Sequence, residues 1–411
     1  MTPHPAQFLA GKRIIVAGGS FAALSFVLAL DQLWNSSLDR PAVIIYEKNE
    51  REKCLEKDPY ILNINGASRD DGLVAIQQLG ILDEVLKHAS RNGGDIRVWG
   101  DDWKWLSSMN PEKYGNLPAA TIRISREELK RILLEKAEVK QKAFKWGWAC
   151  MRAEQTGDGT MRVTVSNDGG KTTSFEQCDL LIAADGANSE LRACFRSHDM
   201  KTTYMGASQI GGVAYLKDGV PKPIDEDYGL QMDHGVCCIY NPFDRNRVAW
   251  ALSMMGPARE TKTNLNEGDF KALKNEALET GRVFKEPFKS VVEATVQDTA
   301  FIRPATTKDA FQHDERLEGV MFIGDANHIL SPYEFVGANL ALKDGWDLAE
   351  QICRHTSMKA AAASYDAISI PRFNHPFTFQ NERVRFGHAD GWKWSAYKVG
   401  MKAQRMSKTV H

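Results

Sequence analysis

The chain has 411 residues, 43% of them hydrophobic, and a net charge of −1 from 52 basic and 53 acidic side chains. That length predicts two or three domains around a large core, and the interspersed charge argues against nucleic acid or an anionic membrane as main partner. The longest apolar stretch, Phe21 to Leu33, is too short for a membrane span of about 18 residues or more. No apolar leader opens the chain, and seven cysteines without regular spacing read as reduced thiols, so a cytoplasmic protein is expected. The adjacent Cys237-Cys238 pair reads as packing, and no metal-ligand spacing appears.

From the N-terminus, Arg13 to Val16 reads as a buried strand, Ala17-Gly18-Gly19-Ser20-Phe21-Ala22 as a tight turn, and Ala23 to Trp34 as an apolar helix. A second strand, Ala42 to Tyr46, ends in Glu47. This is a βαβ unit with a phosphate turn and a terminal carboxylate for a ribose hydroxyl. In the frame that fits G-x-G-x-x-G/A, Ala17 stands for the first glycine and Ala22 for the third. A charged connection (Lys48 to Asp58) leads to a short apolar segment, Tyr60 to Ile64. Leu73, Ile76, Leu79, Leu82 and Leu86 then recur at the spacing of one helix. Arg97 to Pro118, rich in Trp and Gly, reads as strands and loops. Ser125 and Glu128 form a capping box opening a helix through Leu129, Ile132 and Leu133.

Two strand-like stretches, Met161 to Ser166 and Lys171 to Phe175, precede a second cofactor-type segment, Asp179 to Arg192. It is an apolar strand, a turn holding Asp185-Gly186, and a helix start. Ala207 to Leu216, Gly229 to Tyr240 and Arg247 to Met255 read as antiparallel strands. In the last, Val248, Trp250, Leu252 and Met254 alternate with Ala249, Ala251 and Ser253, which suits a wall under a cavity. A helix spans Asp269 to Thr280. The third segment is the most informative: a strand (Gly319 to Ile323), then Gly324-Asp325-Ala326-Asn327-His328-Ile329-Leu330-Ser331-Pro332, then Gly337-Ala338-Asn339 opening a helix from Leu340 to Cys353. Such a corner offers a carboxylate to polyol hydroxyls and free N–H groups to negative oxygen. Ala360 to His411 reads as helical, broken at Pro371 and Pro376.

These three segments, in this order, resemble the class A flavoprotein monooxygenases of the p-hydroxybenzoate hydroxylase fold. Within that family the chain is most similar to the tetracycline-inactivating and fungal secondary-metabolite enzymes. Asp179 to Arg192 follows the family's second motif, and Gly324 to Asn339 its third, with Asn327, Glu334 and Phe335 as departures; Phe335 takes a glycine's place. The resemblance implies an α/β fold: a Rossmann-like FAD-binding domain of the GR2 type (1–96, 119–203 and 300–355), an antiparallel-sheet substrate domain (97–118 and 204–299) and a C-terminal helical segment (356–411).

It further implies that Gly18, Gly19 and Ala22 line the FAD pyrophosphate and that Glu47 holds the adenosine ribose, with Lys48 near the adenine. Arg126 would reach the phosphate or ribityl part, and Asp325 the ribityl chain or pyrophosphate. Pro332, Gly337, Ala338 and Asn339 would pass the flavin's pyrimidine edge, while Asp185 and Gly186 serve both FAD and NAD(P)H. The activity implied is that of a flavoprotein oxidoreductase. FAD, tightly and non-covalently bound, is reduced by NADPH or NADH and traps O2 as a hydroperoxide, which hydroxylates or epoxidises a small aromatic or polycyclic molecule, a secondary metabolite. Tyr215, then His234, are the side chains expected to deprotonate or orient that substrate. Neither nucleic acid nor a membrane span is expected, and the protein is a monomer or homodimer. A flavin-dependent halogenase would need Trp-x-Trp-x-Ile-Pro, whereas Trp146-Gly147-Trp148 and Trp392-Lys393-Trp394 lack the Ile-Pro. A non-catalytic flavin or ligand carrier is the remaining alternative.

Overall fold

Ile14, Ile15 and Val16 are all sealed from solvent, as an apolar run must be when both faces of its strand are covered. In the computed structural model, which describes residues 5–55, 60–90, 96–140, 143–226, 228–314 and 317–409 with side chains through Ala403, they belong to β1 (Arg13–Ala17). With labels in chain order, β1 is the centre of a parallel five-stranded sheet ordered β17-β11-β1-β2-β7. Its other strands are β2 (Ala42–Glu47), β7 (Ala143–Trp146), β11 (Leu180–Ala183) and β17 (Val320–Phe322). The second sheet has seven strands in the order β16-β12-β15-β14-β13-β4-β5. These are β4 (Ile96–Trp99), β5 (Trp105–Met109), β12 (Thr203–Tyr215), β13 (Tyr228–Asp233), β14 (Val236–Pro242), β15 (Arg247–Met255) and β16 (Phe301–Thr307). All its pairs are antiparallel except β13 with β4. A two-stranded ribbon of β3 (Ile61–Asn65) and β6 (Thr121–Ser125) and a three-stranded sheet of β8 (Ala149–Gln155), β9 (Met161–Ser166) and β10 (Ser174–Cys178) complete the strands.

The helices are α1 (Phe21–Leu33), α2 (Arg51–Cys54), α3 (Gly72–Gln78), α4 (Leu82–His88), α5 (Arg126–Val139), α6 (Glu190–Phe195), α7 (Glu267–Thr280), α8 (Phe288–Glu293), α9 (Gly337–Arg354), α10 (Met358–Gly387) and α11 (Gly391–Thr409). Helix α9 lies on α1 so closely that a Cβ on Gly345 would sit 2.6 Å from the Phe26 nitrogen and 2.7 Å from Ser25 Cβ. Ser25 Oγ also donates to Leu342 O across this crossing, at 2.6 Å. Gly345→Ala is therefore expected to lower stability by about 1–3 kcal/mol, read from denaturant midpoints.

The alternation in β15 divides the seven-stranded sheet. Val248, Trp250 and Leu252 join Ile210, Tyr240, Phe270, Phe288 and Val291 in a core beneath α7 and α8. On the opposite face Ala249 and Ala251 leave room, and they pair with Asn241 and Ile239 of β14 and with Val213 and Gly211 of β12. The small-residue wall expected from the sequence is present.

Four elements differ from the sequence reading. The single helix through Leu73 and Leu86 is two, α3 and α4, because Gly80 takes φ +68° between them. The strand from Gly229 to Tyr240 is a hairpin, with His234 at φ +49° and Gly235 at φ +75° forming its turn. Lys171 to Phe175 is displaced to Ser174–Cys178. Helix α10 runs through both Pro371 and Pro376, and the break comes at His388. A proline inside a helix costs about 3 kcal/mol, but α10 is clamped on α9. Its Arg372 is ion-paired with Asp344 at 2.8 Å and with Asp347, while Tyr365 and Phe373 are buried. At the start of α5, Ser125 Oγ accepts from Glu128 N as the capping box requires, at 3.1 Å. The Glu128 side chain, expected to reach back, instead takes Arg131 and His88. Part of the Lys48 to Asp58 connection lies outside the described residues.

Candidate functional site

The three segments singled out in the sequence converge at the C-terminal edge of the parallel sheet. Gly18 takes φ +97°, and a Cβ there would lie 2.5 Å from the Ala184 carbonyl oxygen, so only glycine fits between β1 and β11. Ala17, by contrast, is the last residue of β1, paired with Ala183 and Tyr46. The left-handed turn falls one residue later than the fingerprint frame suggested, and alanine is tolerated there. Ser20 caps α1 by accepting from Ala23 N, and the other N–H groups of that first turn have no partner within the helix. Glu47, 6% exposed at the end of β2, accepts from Gly19 N at 2.7 Å and from Asn49 N at 2.9 Å. Lys48 beside it is exposed. Ala22 faces Gly324, where an added Cβ would lie 3.1 Å from its own, so the first and third segments touch.

Asp185 and Gly186 close β11. Asp185 Oδ2 accepts from Leu191 N at 3.2 Å, whereas Oδ1 is buried with no hydrogen-bond partner among the described residues. Burial raises its pKa. Asp325 opens onto the cleft yet is crowded by protein, and desolvation raises its pKa against the lowering pull of His328, Arg126 and Lys308. Lys308, which sequence reasoning missed, is buried and donates to Ala187 O at 3.1 Å. Its pKa is lowered by burial and by Arg192. Arg192, fully buried, donates from Nη1 to the carbonyls of Ala326 (3.3 Å) and Asn327 and from Nη2 to Asp199 at 2.8 Å. It ties the second segment to the third.

Behind that turn, His328 Nε2 lies 2.9 Å from Asp344 Oδ2, which also accepts from Gly324 N at 3.0 Å. Burial pushes the Asp344 carboxyl up, but His328 and Arg372 outweigh it and hold the group at about 2. Asn339 staples the start of α9 to β3: its Oδ1 accepts from Asn65 N at 2.7 Å and its Nδ2 donates to Asn63 O at 2.9 Å. Between them, Pro332–Glu334 form one 3-10 turn, and Phe335 follows at φ +55°. A bulky residue in the left-handed region is strained by about 1–3 kcal/mol. Its ring packs edge-on against Tyr228, centroids 5.4 Å apart.

Two cavities open on the small-residue face of the seven-stranded sheet. The first, of about 410 Å³, is lined by Arg126, Asn63, Gln209, Asn241, Ala249 and Ala251 among others. The second, of about 490 Å³, is lined by Met109, Arg123, Met232, Cys237, Tyr333, Glu334, Arg383 and Phe386 among others. Tyr228, Phe335, Ile239 and Asn63 line both, so the aromatic pair is the partition between them. Among the described residues, Asn63 Oδ1, Gln209 Nε2, Tyr228 OH and Asn241 Oδ1 are buried without a hydrogen-bond partner. All four residues line the first cavity. Orphaned buried polar atoms on four strands around one cavity imply a polar ligand.

Glu334 dominates the second cavity chemically. Its side chain is fully buried and is ion-paired with Arg383 of α10, at 2.8 Å. Desolvation pushes its carboxyl up to about 7 despite that arginine. Tyr333 OH meets Ser253 Oγ, which lies 2.8 Å from His388 Nε2, so the turn, the sheet and α10 share one polar chain. Burial lowers the His388 pKa.

The structure makes neighbours of several of these residues: Gly18 abuts Ala184 and Asp185, Gly19 abuts Glu47, Ala22 abuts Gly324 beside Asp325, and Arg126 acts on Asp325, while Arg126 and Phe335 line the first cavity. It does not bring Tyr215 or His234 among them. Tyr215 is 53% exposed at the far end of β12, opposite Arg247, and His234 sits in the exposed hairpin turn; neither lines the cavities. Glu334 was visible in the sequence only as a departure from the motif, and Tyr228 and Arg383 gave no signal at all. The two Trp-x-Trp pairs also lie outside both cavities, with Trp146 stacked on Phe144 at 4.7 Å.

Comparison with known proteins gives the following likenesses. The family model described as "FAD binding domain" matches residues 70–376. The monooxygenase cfoF of Aspergillus candidus is 36% identical over 388 residues, covering 93% of each chain. Among solved structures, Klebsiella pneumoniae HpxO complexed with FAD and uric acid superposes with a TM-score of 0.74 at 18% identity, over 97% of this chain and 94% of that one. The tetracycline destructase Tet(55) superposes with a TM-score of 0.65 at 17% identity, over 99% and 98% of the two chains. At such identities the two structures speak for the fold alone.

Proposed function

Because the chain belongs to the FAD-binding-domain family of class A flavoprotein monooxygenases, and is an FAD-dependent monooxygenase, we propose that it oxygenates a small aromatic or polycyclic molecule in the second cavity, using NADPH or NADH and O2. The observation that carries this reading is the meeting of the two cavities at the Pro332–Phe335 turn, over a wall of small side chains. FAD, when bound, supplies the hydride-accepting and oxygen-activating chemistry.

The chain's residues fit that group. The positive-φ turn at Gly18, the close approach of Gly19 to Glu47 and the first-turn N–H groups of α1 suit a pyrophosphate. Glu47 retains lone pairs for ribose hydroxyls. Arg126 and Asp325 are assigned the middle of the cofactor, the backbone of Gly337, Ala338 and Asn339 its pyrimidine edge, and the orphaned atoms of Asn63 and Gln209 its remaining polar atoms. Lys53, Lys130 and Arg303 also line the first cavity and suit the phosphates of the reductant. Tyr228 and Phe335 keep water from passing between the cavities. Glu334, oriented by Arg383, holds the proton of a substrate hydroxyl or N–H. The division proposed is 1–96, 119–203 and 300–355 for FAD, 97–118 and 204–299 for substrate, and 356–411 as a C-terminal helical segment; the five-stranded parallel sheet lies within the first set, although β16 (Phe301–Thr307), counted there, pairs with β12 in the seven-stranded sheet.

A halogenase is not favoured, since the Trp-x-Trp-x-Ile-Pro signature is missing. The test is direct. The purified chain is expected to be yellow or to take up FAD, and its flavin to bleach with NADPH or NADH under anaerobiosis. A colourless protein that cannot be reconstituted, or a flavin that neither nicotinamide reduces, sinks the reading.

A further inference from the structure

Helix α11 meets the rest of the protein along one side. Trp394 is buried beside Val98 and Leu106, Met401 packs on the same cluster, and Lys398 reaches Asp233 at 3.2 Å. The opposite side is apolar and bare. Trp392 is 77% exposed, Val399 is 69% exposed, and Ala396 and Ala403 are exposed as well. At 3.6 residues per turn these four form one stripe, and Lys393 and Lys402 flank it on either side. From Gly391 to His411 the sequence holds Lys393, Lys398, Lys402, Arg405 and Lys408 and neither Asp nor Glu, although the whole chain is nearly neutral. The interspersed charge that argued against an anionic membrane does not describe this end of the molecule.

The neighbouring surface continues the pattern. Helix α11 packs against β5, an edge strand of the seven-stranded sheet, where Trp105 is 45% and Met109 51% exposed. Met109 also lines the second cavity. A basic surface with exposed aromatic and aliphatic side chains therefore borders that cavity.

We propose that this surface docks on a bilayer containing acidic phospholipid. Helix α11 lies in the headgroup plane, with Trp392 and Val399 inserted and Lys393 and Lys402 against the lipid phosphates. The choice follows from matching both features at once. Nucleic acid or an acidic protein face meets the lysines and leaves Trp392 and Val399 in water. A second copy of the chain covers the stripe but sets its lysines against one another. An anionic interface takes the apolar stripe and the flanking charge together. Docked this way, the second cavity opens beside the apolar phase in which an aromatic substrate dissolves. That last clause rests on the monooxygenase reading, whereas lipid binding does not.

The test uses the full FAD-loaded chain, sedimented with vesicles of phosphatidylcholine alone or of phosphatidylcholine with phosphatidylserine. Binding is expected to be at least about tenfold stronger to the acidic vesicles and to weaken with salt. Lys393→Glu with Lys402→Glu is expected to reduce it at least about tenfold, as is Trp392→Ser with Val399→Ser, with flavin content and melting temperature unchanged in both. Equal binding to both vesicle types, or none, overturns the proposal. So does a dimer that the Trp392→Ser, Val399→Ser pair dissolves, and so does retention on duplex DNA in place of vesicles. An inactive enzyme that still binds acidic vesicles counts against the proposed function and leaves the docking site standing.

Discussion

Arg192→Ala is expected to lower stability by about 3–5 kcal/mol and to yield protein that no longer retains FAD through gel filtration. The side chain has no exposure, and its two terminal nitrogens are spent on protein: the carbonyls of Ala326, Asn327 and Asp309 and the carboxylate of Asp199, with the Phe311 ring centre 4.7 Å from its Cζ. The first two carbonyls belong to the turn that presents Asp325. Without the arginine they are buried acceptors with one donor fewer, and among the described residues Asp199 keeps Arg196 as its ionic partner. Arg192→Lys preserves the charge but has no planar fork to span both carbonyls and Asp199, so its loss is expected to be intermediate. Thermal melting and the flavin-to-protein absorbance ratio read both effects. A variant that melts like the parent and holds its flavin would reduce Arg192 to a bystander.

That arginine also shows where the sequence was legible. The strand-turn-helix corners could be read because each is local: an apolar run ending in Gly18, in Asp185-Gly186 or in Gly324-Asp325 carries its own turn chemistry. The alternation Val248 to Met254 was equally local, since period two fixes which side chains share a face. What failed were features decided by partners distant in sequence. Pro371 and Pro376 look like breaks until Arg372 is found paired with Asp344 and Asp347 on α9. Tyr215 and His234 look reactive in a strand pattern, but the hairpin turn and the far end of β12 carry them away from the cleft. Tyr228 and Arg383 became site residues only because β13 and α10 both reach the turn after Pro332. No periodicity announces that meeting.

Glu334 is the residue on which stability and activity are expected to oppose each other. Its carboxyl lies near 4.5 in the unfolded chain and at about 7 in the fold, raised by desolvation and only partly relieved by Arg383. The folded state thus holds a proton that the unfolded state has released, and stability falls as pH rises from about 4.5 to about 7. By pH 8 the penalty amounts to about 3 kcal/mol. Glu334→Gln keeps the shape and removes the charge, so this contribution to the fall in stability is expected to vanish over that interval. The variant should match the parent near pH 4.5 and exceed it by as much as about 3 kcal/mol at pH 8. Losing the ion pair subtracts little, because the Arg383 side chain is 50% exposed and returns to water. Activity is expected to move the other way. If the carboxylate takes the substrate's proton, parent kcat/KM rises as pH climbs through about 7, whereas Glu334→Gln loses that limb and about a hundredfold in rate. The other charged or ionisable side chains on this cavity, Arg123, Arg383, Tyr228, Tyr333 and Cys237, are unchanged in the variant and are not expected to supply such a limb. Denaturant melts at pH 5 and pH 8, beside pH–rate profiles of substrate-dependent NADPH oxidation, separate the two effects. Greater stability with full activity would leave Glu334 a buried charge without a catalytic use.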